Sequence, residues 1–401
     1  MDNTFQIAIR DDATSARLGY LQTNHGVIAT PVFMPVATQG VFKGGVDSED
    51  ARAINAPIIL ANTYHLYIRG AVPTVKQAGG LHEFMNWDRP ILTDSGGFQV
   101  WSLGRGARKD ALCKIDDDGV TFVSHLDGSV HRFTPEKAMQ IQRDLGADII
   151  MAFDEASDES SSYSYTKKAM ERTHKWAERC ISENSKLKTF TPKAFGARNS
   201  KLQLKTKNLP RQLLFGIVQG GRFKRLRIDS AKVISSLDFD GVAIGGESIG
   251  FNMKRTAGLL EYLQPCLPKE KPIYAMGVGF SPTDFFTVVE RGVDMFDCVA
   301  PARLARHGNL YCKDAGARNK YRINIMNAQH KHDFKPVCDW CDCRVCETYT
   351  RAYLRHLFKS EEITALRLAT IHNLRFMLKV MEEIRAAIKA GEFARLKMEW
   401  L

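Results

Sequence analysis

At 401 residues, 44% hydrophobic and 25% charged, the chain has the composition of an ordinary globular protein, which excludes a disordered or fibrous polymer. No apolar run approaches the roughly 20 residues that span a bilayer, and the first residues lack a basic segment followed by an apolar core, so a cytoplasmic location is expected. The formal net charge of +11 suits a polyanionic partner without demanding one.

Residues 5–29 (FQIAIR, RLGYLQT, GVIAT) read as a small antiparallel sheet. After it, eight apolar runs recur with little alternation: TPVFMPVAT (30–38), APIILANT (56–63), RPILTDS (89–95), ADIIMAFDE (147–155), LLFGIVQGG (213–221), GVAIGGE (241–247), PIYAMGVG (272–279) and MFDCVAP (295–301). Near-continuous apolar character marks strands buried on both faces. Most gaps hold helical patterns: DSEDARAI, then TPEKAMQIQRDLGA with a Thr cap and Pro at the first helical position, then YTKKAMERTHKWAERCIS, RFKRLRIDSAKVISSL, KRTAGLLEYLQ and PTDFFTVVERG. Eight strands alternating with helices predict an α/β fold, a (β/α)8 TIM barrel. A doubly wound open sheet is the alternative, but no G-x-G-x-x-G follows the first strand. KIDDDGVTFVSHLDGSVHRF (114–133), with D-G and L-D-G turn signals, reads as a hairpin excursion between strands three and four. Residues 185–212 carry Lys186, Lys188, Lys193, Arg198, Lys201, Lys205, Lys207 and Arg211 and no acid; this basic insertion reads as a solvated loop or a phosphate-contacting surface.

In such a barrel the chemistry sits where strands end at the C-terminal face. Five runs end in groups suited to a polar ligand: Asp94 with Ser95, Asp154 with Glu155, Gln219 with Gly220 and Gly221, Gly245 and Gly246 with Glu247, and Asp297. Any one of these is an ordinary loop residue. Five on one rim point to a site. Cys298, beside Asp297, reads as strand-end packing.

Near the C-terminus, CDWCDCRVC supplies Cys338, Cys341, Cys343 and Cys346, and His372 follows in TIHNLRF. Zinc takes four such ligands tetrahedrally, so four thiolates or three thiolates with one imidazole both fit, and a set with no open position reads as structural. The metal would fasten a zinc-binding subdomain over 336–401 to a barrel core over 1–335. An amphipathic helix through Ile371, Leu374, Leu378, Met381, Ile384 and Ile388 belongs to that subdomain.

These residues resemble the tRNA-guanine transglycosylase family. TDSGGFQVWSL, FDE, FGIVQGG, AIGGE, YAMGVG, DMFDCVAPARLARHG and CDCRVC…TIHNLRF stand in the family's order, from about Thr30 to about Phe376. The resemblance implies a (β/α)8 barrel with a zinc-binding insertion. It implies exchange of the wobble guanine (position 34, GUN anticodons) of tRNA for a 7-deazaguanine in queuosine biosynthesis. Asp297 would then be the nucleophile at the ribose C1′ and Asp94 the general acid/base. Asp154, with Ser95 beside it, would accept the N–H edge of the base. Gln219 and the Gly246 backbone N–H would bind its carbonyl side, and Phe98 and Met276 would sandwich the ring. Arg303 and Arg306 would hold the flanking nucleotides of the anticodon loop, from which the base must be flipped out. The family's zinc ligands fall on Cys341, Cys343, Cys346 and His372, leaving Cys338 spare. A homodimer is also implied.

One segment departs from the family. Where many bacterial members read G-G-L-A-V-G-E, this chain has Glu247 in place of the Leu and Phe251 in place of the Glu. Glu247 would face the cationic aminomethyl group of preQ1; alternatively the loop is re-cut for the bulkier queuine, or Glu247 points to solvent. The expected incoming base is preQ1. Three rival readings are a non-catalytic zinc-bearing tRNA-binding paralogue, an archaeal-type relative acting on the tRNA core, and an unrelated barrel glycosidase. The intact Asp94 and Asp297 oppose the first, the lack of further RNA-binding domains opposes the second, and the Cys/His set opposes the third.

Overall fold

The eight apolar runs become the eight strands of one parallel sheet: β1 (Val32–Pro35), β2 (Ile59–Ala61), β3 (Ile91–Thr93), β4 (Ile149–Met151), β5 (Leu213–Val218), β6 (Gly241–Ile244), β7 (Ile273–Ala275) and β8 (Met295–Cys298). A computed structural model describes residues 4–104, 113–186, 211–246, 249–250 and 252–401. Glu247, Phe251 and residues 187–210 of the basic insertion lie outside the described residues.

Each strand pairs with its sequence neighbour, and β8 returns to pair with β1. A parallel bridge between Val36 and Leu60 joins β1 to β2, so the sheet closes nearly completely into a barrel. The lack of in/out alternation now has its cause. Val32, Met34, Leu60, Leu92, Ile149, Met151, Phe215 and Ile217 fill the interior, while alternate residues such as Phe33, Ile59, Ile91 and Ile150 face the helical layer, and both faces are apolar.

The antiparallel sheet of Phe5–Arg10, Arg17–Thr23 and Gly26–Thr30 closes the N-terminal mouth. Its Phe5, Leu21 and Ile28 belong to the interior cluster. Two buried polar clasps hold it there. Arg17 donates from Nε (2.9 Å) and from its terminal nitrogen (2.6 Å) to the two oxygens of Asp294, the bidentate geometry that makes a buried pair worthwhile. Asp148 accepts from the His25 amide and the Ile91 amide and meets ring nitrogens of both His25 (2.8 Å) and His82 (3.2 Å). The two imidazoles stack, 3.5 Å apart and inclined by 13°. An ion in the plane of one ring therefore falls far from the plane of the other, so this trio is a hydrogen-bonded clasp rather than a metal centre.

The predicted helices form, and several begin at capping signals. Thr134 accepts from the Lys137 amide at the start of Pro135–Leu145, and Ser281 with Asp284 makes a capping box on Pro282–Val289. The excursion at 114–133 differs from the expected hairpin. It is a three-stranded antiparallel sheet (Cys113–Ile115, Val120–Val123, Val130–Phe133), because the D-G turn and the L-D-G turn each reverse the chain. The helix carrying Ile371 to Ile388 spans Ile363–Ala390 and packs on β1 and on the helix Ala300–Arg306 that follows β8. Its buried Asn373 takes the Tyr311 amide and donates to the carbonyls of Pro301 and Asn309, fastening the chain beyond β8 to the barrel. Among the described residues no helix is long and apolar enough to cross a membrane.

Candidate active site

With the N-terminal mouth plugged, the open end of the barrel is the C-terminal rim, where the strand-end residues meet. Asp94 follows β3 directly. Its carboxylate accepts the Thr63 amide (2.8 Å) and the side-chain amide of Asn62, both from the segment after β2. Burial pushes its pKa up to about 7; the Thr63 amide opposes the shift, and the negative charges of Asp297 and Asp154 add to it. Asp154, beyond β4, accepts from Ser95 Oγ (3.0 Å) and Gln219 Nε2 (2.7 Å). Burial raises it to about 6 against those two donors, with neighbouring Glu155 adding to the rise. Asp297, within β8, accepts the Tyr274 hydroxyl (2.6 Å) and the Gly277 amide (3.0 Å), both supplied by β7 and its loop. Burial raises its pKa, and these two donors resist the rise.

The structure thus brings Asp94, Ser95, Asp154, Gln219 and Asp297 to one rim, with Met276 beside them: a side chain at Gly245 would start 2.9 Å from Gln219 Nε2 and 3.5 Å from Met276 Sδ. Gly246 sits at φ +123°, and a Cβ there would lie 2.2 Å from an Arg227 nitrogen, so only glycine fits. Phe98, on the first turn of the helix Gly97–Gly104, is half exposed. Arg303 and Arg306 lie on the helix after β8, and among the described residues neither pairs with a carboxylate. Gln219 is turned so that Nε2 faces Asp154; its buried Oε1 has no partner among the described residues. Nε2 carries a second N–H besides the one given to Asp154, so it can donate to a base carbonyl without turning. The Cys298 thiol is pushed up to about 12 by burial and accepts the Ala300 amide, which fits packing rather than reactivity.

The second cluster gathers Cys341, Cys343, Cys346 and His372, all of whose ligand atoms lie within 4.8 Å of one another. His372 Nδ1 is 3.4 Å from Cys343 Sγ and 3.3 Å from Cys346 Sγ, close to the edge of a tetrahedron around a small ion. Its other nitrogen, Nε2, meets the Tyr311 carbonyl at 2.7 Å, which leaves Nδ1 to face the thiols. Cys338 stands apart from the set and accepts the Lys313 amide. Of the two ligand sets open from the sequence, the geometry brings together three thiolates and one imidazole, and these four could hold a metal ion.

Comparison with known proteins shows the family of the chain. A family model described as queuine tRNA-ribosyltransferase matches residues 11–401. Proteins named queuine tRNA-ribosyltransferase are similar along the whole chain. That of Herpetosiphon aurantiacus is 48% identical over 399 residues, covering 100% of this chain and 92% of its own. Those of Caldanaerobacter subterraneus and Pelotomaculum thermopropionicum are each 47% identical, covering 99% of this chain and 96% and 98% of theirs. The chain belongs to the queuine tRNA-ribosyltransferase family. It is accordingly an enzyme, a transferase of the pentosyl class.

Sequence reasoning missed four residues of this queuine tRNA-ribosyltransferase rim. Asn62 and Thr63 hold Asp94; their signal was a polar pair ending the second apolar run, the same sign read at the other strands. Tyr274 lies inside an apolar run and reads as core until β7 sets it beside β8. Arg227 stands in a helix rich in basic residues, Lys224–Ser236, which suggests solvent, yet it is fully buried. It donates to the carbonyls of Val218 (3.1 Å), Gly221 (2.8 Å) and Gly245 (2.5 Å), tying the loops after β5 and β6 together.

Proposed function

We propose that the protein exchanges the guanine at position 34 of tRNAs with GUN anticodons for a 7-deazaguanine, preQ1, through a covalent enzyme–tRNA intermediate. The observation that carries this reading is the Asp94–Asp297 pair on one rim, its members held by different donors.

Asp297, kept ionised by Tyr274 and Gly277, attacks C1′ of the flipped-out nucleotide. The C1′–N bond breaks with its electron pair going to the guanine, and protonated Asp94 supplies the proton that lets the base leave neutral. The incoming base then gives its proton to ionised Asp94 and attacks C1′, and the bond to Asp297 breaks to restore the carboxylate. The transition states are oxocarbenium-like, so a carboxylate beside C1′ stabilises them as well as capturing the sugar. Asp154 and Ser95 take the N–H edge of the base, Gln219 and the Gly246 amide take its carbonyl side, and Phe98 and Met276 cover the ring faces. Arg303 and Arg306 bind flanking phosphates of the anticodon loop. Zinc is the metal of the Cys341, Cys343, Cys346 and His372 set: the ligands are three soft thiolates and one imidazole with no open position, so its role is structural. It fastens a subdomain over 336–401 to the barrel core over 1–335. The enzyme works in the cytoplasm as a homodimer.

The test is incubation with unmodified tRNA and labelled guanine, followed by a chase with preQ1 or with queuine. Label is expected to enter the tRNA, to be displaced by preQ1, and to stay out with Asp297→Ala. Incorporation by Asp297→Ala at the wild-type rate overturns the mechanism. Displacement by queuine alone reassigns the incoming base.

A further inference from the structure

We infer that Phe280, at the rim after β7, is a stacking platform for an unpaired RNA base next to the exchanged nucleotide. This rests on the RNA-modifying reading above and adds a residue that the motif comparison did not supply.

Three observations carry it. The first is position. Phe280 lies three residues beyond Gly277, whose amide touches Asp297. The intervening Gly279 is pressed against β8, where a Cβ would come within 3.3 Å of Cys298 Cβ and 2.9 Å of the Phe285 ring. The Phe280 carbonyl accepts the Tyr311 hydroxyl at 2.8 Å. The backbone is therefore fixed, and the ring stands on the same short loop that holds the carboxylate.

The second is exposure. Phe280 keeps 39% of its surface accessible, although β7 beneath it is buried. A large aromatic left open on a fixed loop beside a polar site is what a base-stacking surface requires.

The third is charge. The Arg322 guanidinium lies 4.5 Å from the ring centroid and the Lys320 ammonium 5.5 Å. Lys320 and Tyr321 both adopt left-handed backbone, at φ 53° and 55°, a costly conformation that turns this strand-connecting segment towards Phe280. The acid facing these cations is Asp284, which is mostly buried and occupied in capping its own helix through the Ser281 amide at 2.8 Å. Arg303 and Arg306 stand on the helix that follows β8. With Arg322 and Lys320 over the ring, the base of an unpaired nucleotide would stack on the part of Phe280 left exposed or on the Arg322 guanidinium plane, with its phosphate on the basic groups. This surface does not match an acidic peptide, which would not need the exposed ring.

The experiment uses the full-length protein and an RNA hairpin with the target guanosine in its loop, reading binding by fluorescence anisotropy and exchange by labelled guanine. Phe280→Leu keeps an apolar side chain and removes the π-face; it is expected to weaken hairpin binding and raise the hairpin KM by about tenfold. The KM for the free base and kcat at saturating RNA should not change, and Phe280→Trp should restore binding. Removing the base on one side of the target should weaken wild-type binding by a similar factor and leave Phe280→Leu unaffected. If Phe280→Leu binds as tightly as wild type, or if both neighbouring abasic hairpins penalise it as much as wild type, the inference is overturned. A lowered melting temperature with unchanged binding would assign Phe280 to packing alone. If wild type binds the hairpin with the Phe280 dependence but exchanges no guanine, the catalytic reading fails and the platform stands.

Discussion

The Tyr274 hydroxyl donates to Asp297 Oδ1 across 2.6 Å, and so a phenol buried inside the barrel favours the ionised form of the rim carboxylate against the effect of burial. Because this bond favours the ionised acid, Tyr274→Phe raises the Asp297 pKa. The proposed exchange starts with Asp297 ionised and Asp94 protonated, so its rate should follow a bell. The alkaline limb falls near the Asp94 value of about 7, and the acid limb belongs to Asp297, both as apparent constants of an interacting pair. Tyr274→Phe should shift the acid limb to higher pH with little change in the alkaline one, and cost about 1 kcal/mol of stability. Measuring kcat/KM from pH 5 to 9 checks this; an unmoved acid limb would sever Tyr274 from the nucleophile.

Asp154 carries a stability cost of opposite sign to that of a salt-bridged acid. Its folded pKa, about 6, lies above the ordinary value of 3.8, so the folded state holds a proton that the unfolded chain has already lost between those values. Its contribution is intact below about pH 4, declines as pH rises towards 6, and is flat beyond. Asp154→Asn removes the ionisation, and its amide can donate to the unpartnered Gln219 Oε1 once that side chain turns. The variant should therefore be more stable than wild type at pH 7.5 by roughly 3 kcal/mol, with little gain at pH 4, while losing affinity for the base. Denaturant titrations at the two pH values decide it.

Arg227 is a buried cation bonded to three carbonyls, and burial lowers its pKa to about 10. Arg227→Ala leaves those carbonyls unpaired in a cavity and should cost about 3 kcal/mol. Because two of the carbonyls belong to Val218 and Gly245, which flank Gln219 and Gly246, the KM for the base should rise more than the KM for tRNA. Equal changes in the two would make the residue a general stabiliser only.

Loss of the proposed zinc should act on folding before chemistry. The four residues that could hold it come from the segment 341–346 and from the helix Ile363–Ala390, which packs against β1. Cys343→Ser is expected to lower bound zinc by one equivalent per chain and to reduce the melting temperature, while Cys338→Ser leaves both unchanged. Elemental analysis and calorimetry of the two variants supply the check.

How much of this was legible in the chain depends on the range of the interaction involved. The eight strands, their order and most helix starts were readable because two-faced burial and capping leave marks within a few residues. Asp94, Asp154, Gln219 and Asp297 could be nominated because each ends such a strand. Closure of the barrel, by contrast, is made by β1 pairing with β8, between segments at opposite ends of the sequence. Pairing between neighbouring strands, which no single stretch of chain contains, sets Tyr274 on Asp297, Asn62 on Asp94 and Ser95 with Gln219 on Asp154, and burial in the assembled barrel decides which carboxylate becomes a weak acid. The choice of His372 over Cys338 was likewise open until the long helix folded back on the cysteines. Local patterns determined the elements and the candidate acids; the tertiary structure decided their partners and charge, since hydrogen bonding and desolvation depend on neighbours that no stretch of sequence contains.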